Sequence, residues 1–263
     1  MKLSVRHWGK GETQALFVHG FTGSAKSFDH LEPLLGDLLS ATCVELPGHG
    51  TTPPATWDET VEAIGALLSG RTVLIGYSQG ARLALAAAAK FPERVQRLVL
   101  ESCAAGFRRR RDRVLRRRAD EELAEVISSR GVDAFVNEWE ALPMFHGLRA
   151  LPSGERQALR ARRASHSAIG LASALRLLGQ GVQPDLSPVL QGLRIPTLLM
   201  SGAEDEKYTR LARQMADELP MGWRVSFGGV GHAPHLECPA AYADEVRSFL
   251  APRWLDEPQG LAP

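Results

Sequence analysis

The chain has 263 residues but little cysteine, little lysine and few aromatic side chains. Its three cysteines, Cys43, Cys103 and Cys238, are widely spaced and odd in number, and no C-x-x-C occurs. That excludes a disulfide framework and a cysteine zinc site. Only five lysines and 6% aromatic residues are present, so no basic stretch is interleaved with aromatics in the manner of a nucleic-acid surface. Charge of one sign is lacking too. Lys+Arg 31 against Asp+Glu 30 leaves a net charge of +1, and no overall field draws the chain to nucleic acid or to a membrane. No apolar run approaches the roughly 18 residues of a membrane helix. The opening MKLSVRHWGKGETQ lacks the apolar stretch of a secretory signal, so a cytoplasmic location is expected.

What remains is an ordinary globular composition, with 44% hydrophobic and 23% charged residues. The length suits one large domain, or one domain carrying an insertion. Short apolar runs alternate with longer helical stretches, the pattern of a mostly parallel sheet with flanking crossover helices. Strands are expected at Ala15–Val18, Ala41–Glu45, Thr72–Ile75, Leu98–Leu100, Ile195–Met200 and Arg224–Phe227. Helices are expected at Val61–Leu68, Arg82–Lys90 and Ala240–Leu250, and the tail Asp256–Pro263 is expected to fray. Between Phe107 and Gly181 the strand signal vanishes. Ala119–Ser129, Val132–Trp139, Gly154–Ala164 and Ala168–Leu178 all read as helices. The expected organisation is an α/β core of residues 1–107 and 181–263 with a helical cap, 108–180, inserted between two of its strands.

Gly76-Tyr77-Ser78-Gln79-Gly80 is a G-x-S-x-G between an expected strand and an expected helix. Such a strand–turn–helix pushes a serine into a strained, exposed position, and small flanking residues relieve the crowding. A nucleophilic serine needs a base, and the base needs a carboxylate to orient it. Asp205, just past the strand ending at Met200, is the chosen acid, with Glu204 and Glu206 as adjacent rivals. His232 lies in the loop before the last helix and completes the order Ser, acid, His. His235, three residues on, could suggest a metal pair. Pro234 breaks the spacing and no third ligand is near, so no metal is expected and His235 is read as a packing or substrate-side residue. The same template places an oxyanion hole at the backbone N–H groups of Gln79 and Phe21, the latter in His19-Gly20-Phe21 after the first core strand. Arg82 lies one helical turn after Ser78, and RRRRDRVLRRR fills Arg108–Arg118. Most of that run is expected to be a solvated helix surface, with one or two guanidinium groups free to turn inward and grip carboxylates.

HGFTGS, LPGHG, GYSQGAR, WEALPMF, QPDL, SGAEDEKY and GHAPHLECP follow one another across nearly the whole chain. In this order they resemble the 2-succinyl-6-hydroxy-2,4-cyclohexadiene-1-carboxylate (SHCHC) synthases of menaquinone biosynthesis, within the α/β-hydrolase superfamily. The first motifs are shared by many α/β-hydrolases; the arginine of GYSQGAR, QPDL and the lysine of AEDEKY are more particular. The resemblance implies a lyase that eliminates pyruvate from a 5-enolpyruvyl precursor bearing three carboxylates, without a cofactor. It implies Ser78, Asp205 and His232 as triad, and Arg82, Arg116 and Arg163 as ligands of substrate carboxylates. Tyr77 and Trp139 match its aromatic positions near the pocket. Where this chain departs, it has Gln79 where the family tolerates a hydrophobic residue, ESCAAGF in place of a more Gly-rich segment after the fourth strand run, and a longer arginine stretch. A serine esterase or C–C bond hydrolase using the same triad is the alternative, favoured less because such pockets are mostly apolar. A non-catalytic protein that merely keeps the fold has no need of a strained serine.

Overall fold

A computed structural model describes residues 1–251; the tail Asp256–Pro263 lies outside the described residues. Seven strands form one sheet: β1 (Ser4–Trp8), β2 (Thr13–Val18), β3 (Leu39–Glu45), β4 (Thr72–Tyr77), β5 (Val95–Glu101), β6 (Thr197–Gly202) and β7 (Gly222–Phe227). Their order is β1-β3-β2-β4-β5-β6-β7. Only β1 runs antiparallel, beside β3, and all other pairings are parallel. The strand β1 has no counterpart among the expected strands. Four of its five residues are exposed, so it lacks the apolar run that marks the central strands.

Alternation along the central strands divides the core into two layers. Leu16, Val18, Leu74, Leu98 and Leu100 face one side, and Phe17, Val73, Ile75, Val99 and Met200 the other. Helices α2 (Trp57–Leu67), α3 (Gln79–Lys90) and α8 (Glu206–Glu218) cover the first layer. The single turn α1 (Glu32–Leu35) and α10 (Pro239–Leu250) cover the second, with Tyr242, Val246 and Phe249 fully enclosed. The residues Leu83-Ala84-Leu85-Ala86-Ala87-Ala88 of α3 are buried almost throughout, so small side chains let this helix lie close against the sheet.

Between β5 and β6 the chain is helical: α4 (Arg110–Glu140), α5 (Ser153–Ala164), α6 (Ala168–Leu178) and the turn α7 (Ser187–Leu190). Gly131, at φ 81° and ψ 169°, breaks α4 in two, a backbone conformation that glycine reaches without strain. Ala124, Ile127, Phe135, Val136, Leu171, Ala172 and Leu175 form a separate small core between α4 and α6. The turn α9 (Pro234–Glu237) completes the elements. Among the described residues no helix is long and apolar enough to cross a membrane.

Candidate active site

Ser78 sits between β4 and α3 at φ 51° and ψ −107°, outside the comfortable regions for a side-chain-bearing residue. The turn is so tight that a Cβ on Gly80 would lie 2.0 Å from the Val18 carbonyl oxygen, and one on Gly76 2.6 Å from Ala81 Cα. Both glycines of the motif are therefore required by packing. The strain lifts the serine hydroxyl clear of the sheet at its carboxyl edge.

His232 Nε2 is 3.0 Å from Ser78 Oγ, and His232 Nδ1 is 2.5 Å from Asp205 Oδ2. Asp205 also caps α8, its Oδ1 accepting the Tyr208 N–H at 3.3 Å. One carboxylate oxygen is thus fixed to the backbone while the other faces the imidazole. Glu204 and Glu206 are exposed and take no part. The loop around His232 is held from three sides. Ser102 Oγ donates to the His232 carbonyl at 2.9 Å, the His232 N–H donates to the Met144 carbonyl at 3.1 Å, and Glu237 accepts the N–H groups of Gly231 and Ala233.

His235 is buried against Glu101, which accepts both its backbone N–H at 3.1 Å and its Nδ1–H at 2.8 Å. Burial pushes the Glu101 carboxyl up to about 8 and the His235 imidazole down to about 3. His235 is thus a packing residue beneath Tyr77, whose ring centroid lies 4.6 Å away.

The motif histidines of HGF and PGHG have a structural explanation. His19 Nδ1–H donates to the Gly20 carbonyl and its Nε2 accepts the Leu46 N–H; His49 Nε2 accepts the Thr22 N–H. Both rings are buried and held neutral by desolvation, His19 down to about 3. His166, from the α5–α6 junction, joins them by donating to Thr22 and accepting from Gly50. Together they clamp the loop carrying Phe21. The amides of Phe21 and Gln79 have no hydrogen-bond partner among the described residues and are free to donate.

A cavity of about 470 Å³ opens above Ser78 and His232. The core supplies Phe21, Tyr77, Gln79, Arg82, Lys207 and Tyr208 to its wall, and the helical segment supplies Arg116, Trp139, Met144 and Phe145. Arg82 is only 7% exposed and has no acidic partner among the described residues; its Nη1 donates to the Leu178 carbonyl and to Gln183 Oε1. Arg116 is held by Asp120, Nε to Oδ1, at 2.7 Å. Trp139 lines the cavity, and its Nε1–H is buried without a partner among the described residues.

Arg163 is placed elsewhere. Its Nη1 donates to Glu140 at 3.0 Å and its guanidinium stacks on Phe145 at 5.3 Å. It lines a separate recess of about 30 Å³ with Arg162 and His235 and is absent from the wall of the main cavity. The sequence cannot resolve this choice, because Arg160, Arg162 and Arg163 all lie on α5 and only the rotation of that helix decides which turns inward. Lys207, Gln180 and Phe145 line the cavity and were not among the expected site residues. Lys207 carried a signal, lying two positions after the chosen acid; Gln180 carried none.

The family model for the alpha/beta hydrolase family matches residues 15–245. A Bacillus subtilis protein named "Putative 2-succinyl-6-hydroxy-2,4-cyclohexadiene-1-carboxylate synthase" is 33% identical, covering 95% of each chain. The chain is an α/β hydrolase of the SHCHC synthase family. The solved structure of MenH from S. aureus superposes on it with a TM-score of 0.89 at 28% identity, covering 95% of this chain and 98% of that one. A malate-bound thermophilic esterase from Thermogutta terrifontis superposes at a TM-score of 0.81 and 26% identity, covering 94% and 92% of the two chains. In this SHCHC synthase family member, as in any α/β hydrolase, the fold alone does not choose between lyase and esterase chemistry. The cavity's charge bears on that choice.

Proposed function

We infer that the chain eliminates pyruvate from 2-succinyl-5-enolpyruvyl-6-hydroxy-3-cyclohexene-1-carboxylate to give the 2,4-cyclohexadiene. The observation that carries this reading is Arg82, a buried cation with no acidic partner that faces the same cavity as Ser78. Burying an unpaired guanidinium is unfavourable unless a ligand carboxylate completes it. With Arg116 it suits a polyanion, not the neutral acyl chain of a simple ester.

In this reading Ser78 gives its proton to His232 and its oxygen takes the ring proton at C2, α to the succinyl ketone. Negative charge grows on the ketone oxygen, where the N–H groups of Phe21 and Gln79 receive it. Electrons then shift through the C3–C4 alkene, the C5–oxygen bond breaks, and enolpyruvate leaves to become pyruvate on protonation. His232 holds the proton in transit and Asp205 stabilises the imidazolium. No bond to Ser78 forms and nothing is oxidised, so the chain's own residues suffice. Residues 108–180 serve as a cap that closes the cavity over core residues 1–107 and 181–263, and the reaction belongs to the cytoplasm.

The test sets the enolpyruvyl substrate beside p-nitrophenyl acetate, for wild type and Ser78→Ala. Diene and pyruvate appearing in equal amounts, dependent on Ser78 and with weak ester turnover, support the lyase. Ester turnover without diene supports the second reading, a serine esterase, which the likeness to the T. terrifontis protein favours.

A further inference from the structure

Gln180 is 4% exposed and lines the cavity. Its side-chain amide has no hydrogen-bond partner among the described residues, yet neither amide atom is sealed from the void. Two other buried glutamines nearby are bonded through their nitrogen atoms, although Gln79 Oε1 has no partner among the described residues. Gln79 Nε2 donates to the Leu178 carbonyl at 3.1 Å, and Gln183 Nε2 donates to the Ala104 carbonyl at 2.9 Å while its oxygen accepts from Arg82. A buried amide left open in this way is satisfied by what enters the cavity.

The turn that carries Gln180 is held by Arg82 and by Asp120. Arg82 donates to Leu178 and Gln183 at its two ends. Asp120, which pairs with Arg116, accepts the Gly181 N–H at 2.9 Å. Gln180 thus stands on a hydrogen-bonded turn and shares the cavity with two guanidinium groups that can only donate. The amide differs from them because it can also accept.

We propose that Gln180 and Arg82 form a subsite for a carboxylate with a hydroxyl on the neighbouring carbon, Arg82 holding the carboxylate and Gln180 Oε1 accepting the hydroxyl proton. The proposal rests on the reading of the reaction given above, whose substrate carries its 6-hydroxyl next to the 1-carboxylate. It makes Gln180 the residue that distinguishes the hydroxylated ring from a deoxy analogue. One hydrogen bond in a desolvated site corresponds to a preference of roughly threefold to tenfold.

The test uses calorimetry with cis- and trans-2-hydroxycyclohexane-1-carboxylate and with cyclohexanecarboxylate, on wild type, Gln180→Met and Gln180→Leu. Wild type is expected to prefer one hydroxy acid over the deoxy acid by about threefold to tenfold, and either folded variant to bind the two equally. On the enolpyruvyl substrate the same variants should raise KM by a similar factor with little change in kcat. Absence of a preference in wild type, or its persistence in both variants, overturns the subsite even where elimination proceeds. If wild type fails to eliminate pyruvate but shows a Gln180-dependent preference, the subsite stands and the reaction assigned above falls.

Discussion

Asp205→Asn isolates the role of the carboxylate while keeping the shape of the site. In the native arrangement one oxygen of Asp205 accepts the Tyr208 N–H at 3.3 Å and the other faces His232 Nδ1 at 2.5 Å. The Tyr208 N–H can pair only with the amide oxygen of an asparagine, which turns the amide NH2 toward the imidazole. His232 Nδ1 must then accept, its proton moves to Nε2, and a donor instead of an acceptor meets Ser78 across 3.0 Å. The serine loses its base without losing a contact. The expected fall in kcat is about 10³- to 10⁴-fold, or about 4–5.5 kcal/mol of transition-state stabilisation. Asparagine caps helices as well as aspartate, so only the charge at the start of α8 is lost and folding stability should drop by about 0.3–1 kcal/mol. Steady-state diene formation and urea unfolding, run on the same preparation, measure both. A kcat within tenfold of wild type in a folded variant would refute a triad-based mechanism.

Three further outcomes are expected. Arg82→Met should lower kcat/KM by about tenfold to hundredfold through loss of charge-assisted bonds to a carboxylate, with little net change in melting temperature, because removal of a buried charge without an acidic partner offsets the hydrogen bonds lost to Leu178 and Gln183; a large loss of stability with unchanged KM would make Arg82 structural. Acid should destabilise the fold before the catalytic groups are considered. His19, His30 and His235 are held down to about 3, 4 and 3, so between about pH 6.5 and 4.5 the unfolded chain binds protons that the native one refuses. Glu101, raised to about 8, acts with the opposite sign but is one group against three. Unfolding free energy from urea titrations should therefore fall from pH 6.5 to pH 5, and a flat profile would contradict the neutral assignment of these histidines. Gly80→Ala should destabilise by about 3 kcal/mol, because its new methyl would meet the Val18 carbonyl oxygen at 2.0 Å; near-native melting would mean the elbow relaxes easily.

The α/β core was legible because β2, β4, β5 and β6 are buried on both faces and read as unbroken apolar runs ended by glycine or polar turns. The strand β1 escaped notice for the opposite reason, since an exposed edge strand carries no such run. Ser78, Asp205 and His232 could be chosen because each follows a strand, so local sequence fixes where it stands. The helical segment offered no such anchor. Arg116 turns toward the cavity because Asp120, one helical turn on, is buried and holds it, a pairing visible only once α4 is seated. Arg163 turns to Glu140, which lies on another helix. Gln180 depends on a turn whose shape is set by Arg82 and Asp120 from distant parts of the chain.

In the proposed mechanism Ser78 acts as a base and forms no ester. Intact-protein mass spectrometry during turnover of the C2-deuterated enolpyruvyl substrate separates this role from covalent catalysis. The expected result is unmodified protein throughout, diene and pyruvate in equal amounts, and a slower rate than with the protonated substrate. A mass increment on Ser78, or pyruvate released without diene, would contradict it.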